Sequence, residues 1–452
     1  MSVAGPAILL VVAAVVAFLL RKRLVVVALF SLASLVTAIA IVASTPADAT
    51  SELLGLPLRL SPLGRLAALA LLAILGALVL DVWLDEPAYN FFPTALGVGA
   101  AVVAVLVLVT PLAIYAALVV GLLLPVGSFT FQIHRNRSVE AASRHYGFVT
   151  LGGTLGLAAL AIAAGLPRDQ PQTTFVLLVV VLYVAFALKL AAIPFHTHAA
   201  LLATEAPVSA LALYFGVLIP ATVIAFSEIL TLSGLLPSIV QLVKVQELLL
   251  AIGAASAVGG ALLAIGAPDL RRLVVYSVIS DLGIALVGLG TFSGPGIVGG
   301  IAVALATGAS ATQQLLAAGT LERRSAGGTP RAARAPLAAA AFVAGGIGLV
   351  GAPPLVGFPG RFYVEFIAYA FSPWLGGALV LATLLLLLAQ LRMGLAIFAE
   401  GLPSWRPEPR PVAGLIGIAI FAALLAGGIF PDAFLRPIAA FAEEFLRALR
   451  PL

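Results

Sequence analysis

Long apolar runs recur along the whole chain and constrain its fold more than any other feature of the sequence. A helix needs about 20 consecutive apolar residues to cross the hydrocarbon core of a bilayer, and about fourteen runs approach that length. Only 10% of the 452 residues are charged, whereas soluble domains carry about 25%. The sequence therefore predicts an all-α polytopic membrane protein and excludes a soluble domain, a disordered chain, a coiled coil and a nucleic-acid binder. The predicted spans are residues 4–20, 24–44, 63–84, 92–109, 112–130, 146–166, 174–193, 207–226, 246–267, 273–291, 296–319, 336–356, 374–398 and 411–430.

Basic residues cluster in the five loops that follow predicted helices one, five, nine, eleven and thirteen. Because all five helices are odd-numbered, these loops share one side of the membrane, which the positive-inside rule makes cytoplasmic. Both termini are then predicted on the external side of a prokaryotic inner (plasma) membrane. The first apolar run has no basic residues before it, so we expect a retained helix and not a cleaved signal peptide. The clusters contain Arg21, Lys22, Arg23, Arg135, Arg137, Arg144, Arg271, Arg272, Arg323, Arg324, Arg331, Arg334, Arg406 and Arg410.

Proline-containing segments interrupt the helical pattern at residues 192–196 and 353–361. Proline removes a backbone donor, and irregular backbone at membrane depth must be buried in protein or line a wet cavity. Transporters place such breaks at their ion sites. A cation lies beside each break, because Lys189 precedes the first and Arg361 ends the second. Both are candidate site residues, although Lys189 could instead extend toward the interface, and the second break could be shallow.

Other polar side chains in or beside the apolar runs extend this candidate proton path. Asp281 is a lone carboxylate in its run and needs a partner. Glu365 follows Arg361 by one helical turn, so the two are expected to pair locally. For the adjacent glutamines of predicted helix eleven, ordinary interhelical hydrogen bonds remain the alternative. The path residues are Lys189, His196, Glu205, Asp281, Arg361 and Glu365, with Arg144, Tyr276, Ser277, Gln313 and Gln314 as supporting polar residues.

Four motifs, in order along the chain, resemble those of one membrane protein family. Residues 188–197, LKLAAIPFHT, and 205–209, EAPVS, are similar to its K-x-x-x-x-P-F-H and E-A-P. Residues 269–283, DLRRLVVYSVISDLG, are similar to D-x-K-R-L-x-A-Y-S-S-I-S-H-x-G. Residues 353–361, PPLVGFPGR, and 140–146, EAASRHY, resemble P-P-x-x-G-F-x-G-K and E-A-A-x-K-Y. The chain thus resembles the antiporter-like, proton-translocating membrane subunits of respiratory complex I, multisubunit Na+/H+ antiporters and membrane-bound hydrogenases.

The resemblance implies fourteen helices with two inverted five-helix repeats, in which helices seven and twelve are broken. By motif match, Lys189 takes the role of the family's switching lysine in helix seven, and Arg361 that of its helix-twelve cation. His196 and Glu205 match residues of the connection between helices seven and eight. The implied divisions are 1–91 (helices one to three), 92–226 and 227–398 (the two repeats), and 399–452 (helix fourteen and a short amphipathic segment).

Several charged positions of the family pattern are empty in this sequence. The glutamate of helix five falls near Gly121, and the lysine of helix eight falls at residues 218–220, where there is no charge. Asp281 stands where a histidine is common, and Thr307 and Ala311 lie close to the expected histidine and lysine of helix eleven. The central polar axis that the resemblance implies is therefore depleted.

Three functions remain open from the sequence. The first is proton translocation, with Lys189 as the switching residue, in a redox-driven or ion-driven complex. The second is a degenerate, non-pumping scaffold, which the missing charges favour and the retained Lys189 disfavours; the third is a stand-alone ion carrier. The expected partners are other membrane-arm subunits, the lipid bilayer, and protons or Na+. Because there is no cysteine, we expect no metal or cofactor here, only a non-redox subunit of an NADH-quinone oxidoreductase-like or membrane-bound hydrogenase-like translocase.

Overall fold

The computed structural model describes residues 2–85, 88, 90–129, 137–166, 172–236, 243–325, 332–399 and 411–449, and these are predominantly helical. The helices are α1 (Gly5–Leu20), α2 (Leu24–Ser44), α3 (Pro62–Leu84), α4 (Phe91–Val107), α5 (Pro111–Leu123), α6 (Val126–Phe129), α7 (Ser138–Gly165), α8 (Gln172–Lys189), α9 (Thr197–Glu205), α10 (Val208–Leu213), α11 (Ile219–Leu232), α12 (Val243–Ile265), α13 (Leu270–Gly290), α14 (Gly294–Arg324), α15 (Pro336–Val350), α16 (Gly357–Phe371), α17 (Pro373–Ile397), α18 (Val412–Ile429) and α19 (Pro431–Ala448). A π-helical turn, Tyr214–Leu218, joins α10 to α11, and a 3-10 turn, Ala332–Arg334, precedes α15.

Ten helical segments within the described residues are long and apolar enough to cross a bilayer. Four predicted runs, the first, fourth, seventh and twelfth, correspond instead to shorter apolar helices of 10–17 residues in α1, α4, α8 and α15. At 1.5 Å per residue these are shorter than the hydrocarbon core, which is about 30 Å thick. The protein is a multi-pass helical membrane protein. Within the described residues ten helical segments have the length of a full span, and that the four shorter helices also cross, to give the predicted fourteen, stays a prediction.

Both proline segments lie between two helices. The first separates α8 from α9 and contains a cis bond between Ile193 and Pro194, and the second separates α15 from α16 and contains a cis bond between Pro353 and Pro354. That these helix pairs are two broken membrane-crossing helices of an inverted repeat stays a prediction, as do the four divisions of the chain.

The most buried helices form the centre of the bundle. α14 packs against α10 and α11 and against α13, α15 and α16. Small residues bring neighbouring backbones together, as is usual between membrane helices. A side chain at Gly283 of α13 would meet the Gly253 carbonyl of α12 at 2.5 Å, and one at Gly260 would meet the Ser280 amide at 2.6 Å. These contacts hold α12 directly against α13, the helix that carries Asp281.

The C-terminal segment and a hairpin lie against the same end of the bundle. The sequence predicted the short amphipathic helix, and α19 buries its apolar face, including Phe441 and Phe445, against α3, α11 and α14. The strands β1 (Ala49–Leu53) and β2 (Leu56–Leu60) pair in antiparallel register and were not predicted. Arg59 of β2 bonds to Glu444 of α19 at 2.6 Å, and this bond raises the pKa of Arg59 above its ordinary value.

One predicted helix is longer in the structure. The predicted span ended at residue 319, whereas α14 continues to Arg324, and its Glu322 pairs with Arg271 at 2.6 Å. Residues 326–331 lie outside the described residues, as do the basic residues Arg135, Arg406 and Arg410 that supported the predicted orientation.

Candidate functional site

Lys189 is the last residue of α8, and its side chain is completely buried where that helix stops. Its Nζ bonds to the hydroxyl of Tyr115 from α5 and lies 3.9 Å from the centroid of the Tyr115 ring. In the part of the chain that the structure describes, Nζ has no other hydrogen-bond partner and no carboxylate beside it. A buried ammonium in such surroundings has lost its hydration without gaining a counter-ion.

Tyr115 fits into a notch that two glycines leave in α7. Its hydroxyl donates a hydrogen bond to the Gly152 carbonyl at 2.5 Å, and a side chain at Gly156 would overlap its ring. A side chain at Gly152 would also come within 3.5 Å of Lys189 Nζ. The absence of side chains on this face of α7 therefore leaves room for both the phenol and the ammonium.

The end of α8 leaves backbone groups that would be paired in a continuous helix. The Ile193 amide donates to Ser256 Oγ at 3.0 Å instead of to the preceding turn. The Lys189 carbonyl accepts a hydrogen bond from the Tyr214 hydroxyl at 2.8 Å. Side chains from α12 and the π turn thus satisfy the backbone at this break, as buried irregular segments in membranes require.

A second charged group lies between α13 and α16. Asp281, almost fully buried, forms an ion pair with Arg361 and accepts a hydrogen bond from Thr307 Oγ1 at 2.8 Å. The Arg361 guanidinium also donates to the Leu349 carbonyl at 2.8 Å. Gly351 ends α15 with φ at 69°, and a side chain there would lie 2.8 Å from Arg361 Nε. Glycine is needed here both for the left-handed backbone and for the space that Arg361 occupies.

The local pair predicted between Arg361 and Glu365 does not form. Arg361 donates to Thr383 Oγ1 at 2.8 Å, and that hydroxyl donates in turn to Glu365 Oε1 at 2.6 Å. Residues one turn apart on a helix can meet, but Arg361 points inward to the carboxylate of Asp281, which belongs to the neighbouring helix α13. Glu365 is therefore connected to the Asp281–Arg361 ion pair only indirectly, by the hydrogen bonds of the Thr383 hydroxyl.

Neutral polar side chains continue from this group along α13 and α17. Gln390 donates to Ser277 Oγ at 3.0 Å and accepts a hydrogen bond from Gln314 Nε2 at 2.7 Å. Ser277 lies one turn before Asp281 on α13, so the amides and the ion pair form one polar row. Gln390 also lines an open cavity of about 400 Å³ between α15 and α17. Gln313 is not part of this row, because its Nε2 donates a hydrogen bond to the Ala341 carbonyl at 3.0 Å.

Two positions where the resemblance led us to expect charges meet in an apolar contact. A side chain at Gly121 of α5 would lie 3.1 Å from Ala101 and 3.5 Å from Leu218. Gly121 marks the missing helix-five glutamate, and Leu218 lies in the segment of the missing helix-eight lysine. The two missing charges therefore belong to one location, where apolar atoms now fill the space.

The remaining predicted site residues lie away from both charged groups. Arg144 pairs with Glu140 at 2.7 Å on an exposed face of α7. His196 and Glu205 are half-buried at the beginning and end of α9, and Tyr276 is half-buried on α13. Among the described contacts, none of these side chains bonds to Lys189, Asp281 or Arg361, and their part in a proton path stays a prediction.

Sequence reasoning missed three residues that complete the site, namely Tyr115, Thr383 and Gln390. Each interrupts an otherwise apolar run with a hydrogen-bonding group. Thr383 and Gln390 are seven residues apart on α17, which places them on one helix face. That spacing was available in the sequence, whereas the contact between Tyr115 and Lys189 depends on how α5, α7 and α8 pack.

Comparisons with known proteins agree with this fold. The family model described as NADH:quinone oxidoreductase/Mrp antiporter, TM, matches residues 143–386, which is more than half of the chain. NADH-quinone oxidoreductase subunit 13 of Thermus thermophilus is 32% identical over 280 residues, covering 59% of this chain and 57% of that relative. The chain thus spans less than two thirds of that relative's length.

Solved structures show the same fold over nearly the whole chain. A chain of respiratory complex I from Thermus thermophilus with bound NADH has a TM-score of 0.85 at 22% identity, covering 98% of this chain and 100% of that one. A chain of the membrane-bound sulfane sulfur reductase, an archaeal respiratory membrane complex, has a TM-score of 0.85 at 16% identity, covering 99% of each. At these identities the likeness establishes the fold alone.

Proposed function

The chain belongs to the NADH:quinone oxidoreductase/Mrp antiporter transmembrane family, and on this premise we propose that it is a membrane-arm subunit of a multisubunit complex. In this proposal it translocates protons, Lys189 is the switching residue, and any redox chemistry belongs to partner subunits. Its place is the plasma membrane of a prokaryote, with fourteen crossings that include two broken helices. Two observations support this arrangement: α8 and α15 end at the two proline segments, and a cation lies beside each segment.

The burial of Lys189 beside a neutral phenol is the observation that carries the proposal. A lysine can exist with or without its proton, and burial makes it responsive to nearby charge. Among the described residues no carboxylate lies beside the ammonium, which contacts the Tyr115 hydroxyl and the rings of Tyr115 and Phe186. Lys189 can therefore pass on its proton when the surrounding charges change, and the same site can accept the next proton.

Asp281 and Arg361 supply a second charged station in the proposed path. Arginine keeps its proton in proteins, so the exchangeable group of this pair is the Asp281 carboxylate. Hydroxyl and amide groups lie around this ion pair: Thr307 bonds to Asp281, Thr383 to Arg361, and Gln390 to Ser277, one turn from Asp281. These neutral groups can orient water molecules between the charged stations, as buried polar side chains commonly do.

A non-pumping scaffold is the second candidate function, and one observation favours it. Gly121 and Leu218 place apolar atoms where the family pattern has charges on two helices. In this case Lys189 and the Asp281–Arg361 pair would be retained for packing alone. Replacing Lys189 distinguishes the two functions, because a scaffold does not need an exchangeable proton.

The experiment compares Lys189→Gln with Lys22→Gln in membrane vesicles that contain the assembled complex. Lys22 is an exposed lysine at the end of α1, so its replacement controls for the loss of one positive charge. We expect Lys189→Gln to abolish the proton translocation that depends on this chain, while partner subunits stay bound. Translocation at the wild-type rate in Lys189→Gln vesicles would leave the scaffold as the function.

A further inference from the structure

Two of the chain's four histidines lie together in a buried aromatic cluster, outside the site described above. The rings of His145 from α7 and His198 from α9 are fully buried, with centroids 5.5 Å apart. Phe148 stacks on His198 at 4.7 Å, and Tyr214 and Phe129 meet His145 edge-on at 4.8 Å and 5.1 Å. The cluster is closed by aromatic surfaces, yet it contains two titratable groups.

Each histidine has one ring nitrogen bonded to a carbonyl and one without a partner. His145 Nε2 lies 3.4 Å from the Leu122 carbonyl, and His198 Nδ1 lies 3.0 Å from the Phe195 carbonyl. Because a carbonyl only accepts hydrogen bonds, these two nitrogens carry the hydrogens of the neutral rings. The other nitrogens, His145 Nδ1 and His198 Nε2, are buried acceptors that have no hydrogen-bond partner among the described residues.

We propose that His145 and His198 form a proton-binding site that holds one proton between them and exchanges it with Lys189; this rests on the proposed function. The two unpaired nitrogens belong to rings whose centroids are 5.5 Å apart, and a proton bound to one of them, directly or through a water molecule, supplies the donor that these buried acceptors lack. When the pair takes its proton from Lys189, one N–H bond forms on a ring nitrogen and one N–H bond of the Lys189 ammonium breaks, which leaves a neutral amine. A second proton would place two positive rings side by side, which their repulsion opposes.

The position of the pair connects it to the surface and to Lys189. His196, which is half-buried, precedes His198 by two residues, next to the exposed Thr197. On the inner side, Tyr214 packs against His145 and donates its hydroxyl hydrogen to the Lys189 carbonyl. His145 and Gly152 are seven residues apart on one face of α7, a rise of about 10 Å. The pair therefore lies between a partly exposed histidine and the switching lysine.

In the part of the chain that the structure describes, few titratable groups face the pair. The end of α5 and α6 contribute Leu122 and Phe129, which do not titrate. The charged residues of α7 nearest to His145, Arg144 and Glu140, pair with each other on an exposed face. On the side of α13, Arg271 bonds to the Ala206 carbonyl at 3.0 Å.

Among the residues that the structure describes, the remaining titratable neighbours of the pair are His196, Tyr214 and, through Tyr214, Lys189. We therefore expect the charge of the pair to depend on its own proton and on that of Lys189.

The test is nitrogen NMR of the full chain in lipid vesicles, with all four histidines labelled with 15N. Titration across about pH 5 to 8 covers the range in which histidines change charge. We expect one proton shared by two imidazoles, with a signal that disappears in both His145→Phe and His198→Phe. Tyr146→Phe, at the exposed neighbour of His145, is the control and should keep it. Two rings that stay neutral throughout, as with a bridging water only, would overturn the proposal, and so would two independent titrations.

The link to Lys189 is tested in the assembled complex. His198→Gln keeps a polar side chain should His198→Phe fail to fold, and we expect both to slow proton translocation severalfold. If Lys189→Gln stops translocation and the histidine variants do not slow it, the proposed function stands and the link fails. If wild-type vesicles show no translocation, the proposed function fails, and the link to Lys189 fails with it.

Discussion

At the scale of single residues, the two buried cations differ in their surroundings. Arg361 has the carboxylate of Asp281 beside it, whereas Lys189 has the neutral hydroxyl of Tyr115. Arginine stays protonated, while a buried lysine can lose its proton. The structure therefore provides one cation whose charge is fixed and one whose charge can change, and the proposed proton transfer depends on the second.

Replacing Tyr115 with phenylalanine tests the contact that Lys189 makes. The change keeps the ring in the glycine notch and removes the hydroxyl, so the buried amine loses its partner. Leaving a buried polar group without a partner costs about 1–3 kcal/mol, and we expect the free energy of unfolding in mild detergent to fall by that amount. Tyr183→Phe is the matched control, because the Tyr183 hydroxyl is buried and has no hydrogen-bond partner among the described residues. Equal stability losses in the two variants would contradict the assigned role of Tyr115.

Replacing Asp281 with asparagine tests the ion pair. The change leaves the Arg361 guanidinium buried without a counter-ion, and breaking a buried pair in this way costs about 3–5 kcal/mol. Chemical unfolding of the purified chain measures the loss. Glu365→Gln is the control and should cost much less, because Glu365 reaches Arg361 only through Thr383. A larger loss in Glu365→Gln than in Asp281→Asn would show that Glu365 is the principal counter-ion.

At the scale of helices and strands, the sequence predicted more of the fold than of the contacts. Apolar length located helices, and proline located the two segments at which α8 and α15 end, because these are local properties of the chain. The hairpin was missed, since its short strands carry no clear alternation. The pairing of Arg361 with Asp281 could not be read from spacing, because the two residues are 80 positions apart and meet through helix packing.

The hairpin and the C-terminal helix provide a prediction at this scale. Glu444→Gln removes the carboxylate that Arg59 contacts, and a partly exposed pair is worth about 1 kcal/mol or less. We expect a modest increase in amide hydrogen exchange along α19. Asp432→Asn on the same helix is the control, because its pair with Arg436 is highly exposed, at 77% and 80% of the two side chains. Unchanged exchange in Glu444→Gln, or an equal increase in both variants, would show that the bond does not hold α19 in place.

At the scale of the whole molecule, the fold agrees over nearly the whole chain with subunits of large respiratory membrane complexes. The polar groups follow the centre of the bundle, from Lys189 in the first predicted repeat to Asp281 and Arg361 in the second. Where the family pattern has charges on helices five and eight, this chain has an apolar contact between Gly121 and Leu218. Under the proposed function this chain acts together with partner subunits, so we expect to measure its function in the assembled complex.

The most direct measurement is the number of protons moved per turnover by the complex that co-purifies with this chain, reconstituted in lipid vesicles. The account predicts that this number falls when Lys189 is replaced by glutamine and that the complex keeps its subunit composition. Unchanged stoichiometry in the Lys189→Gln complex, or a chain that purifies without partners, would contradict it.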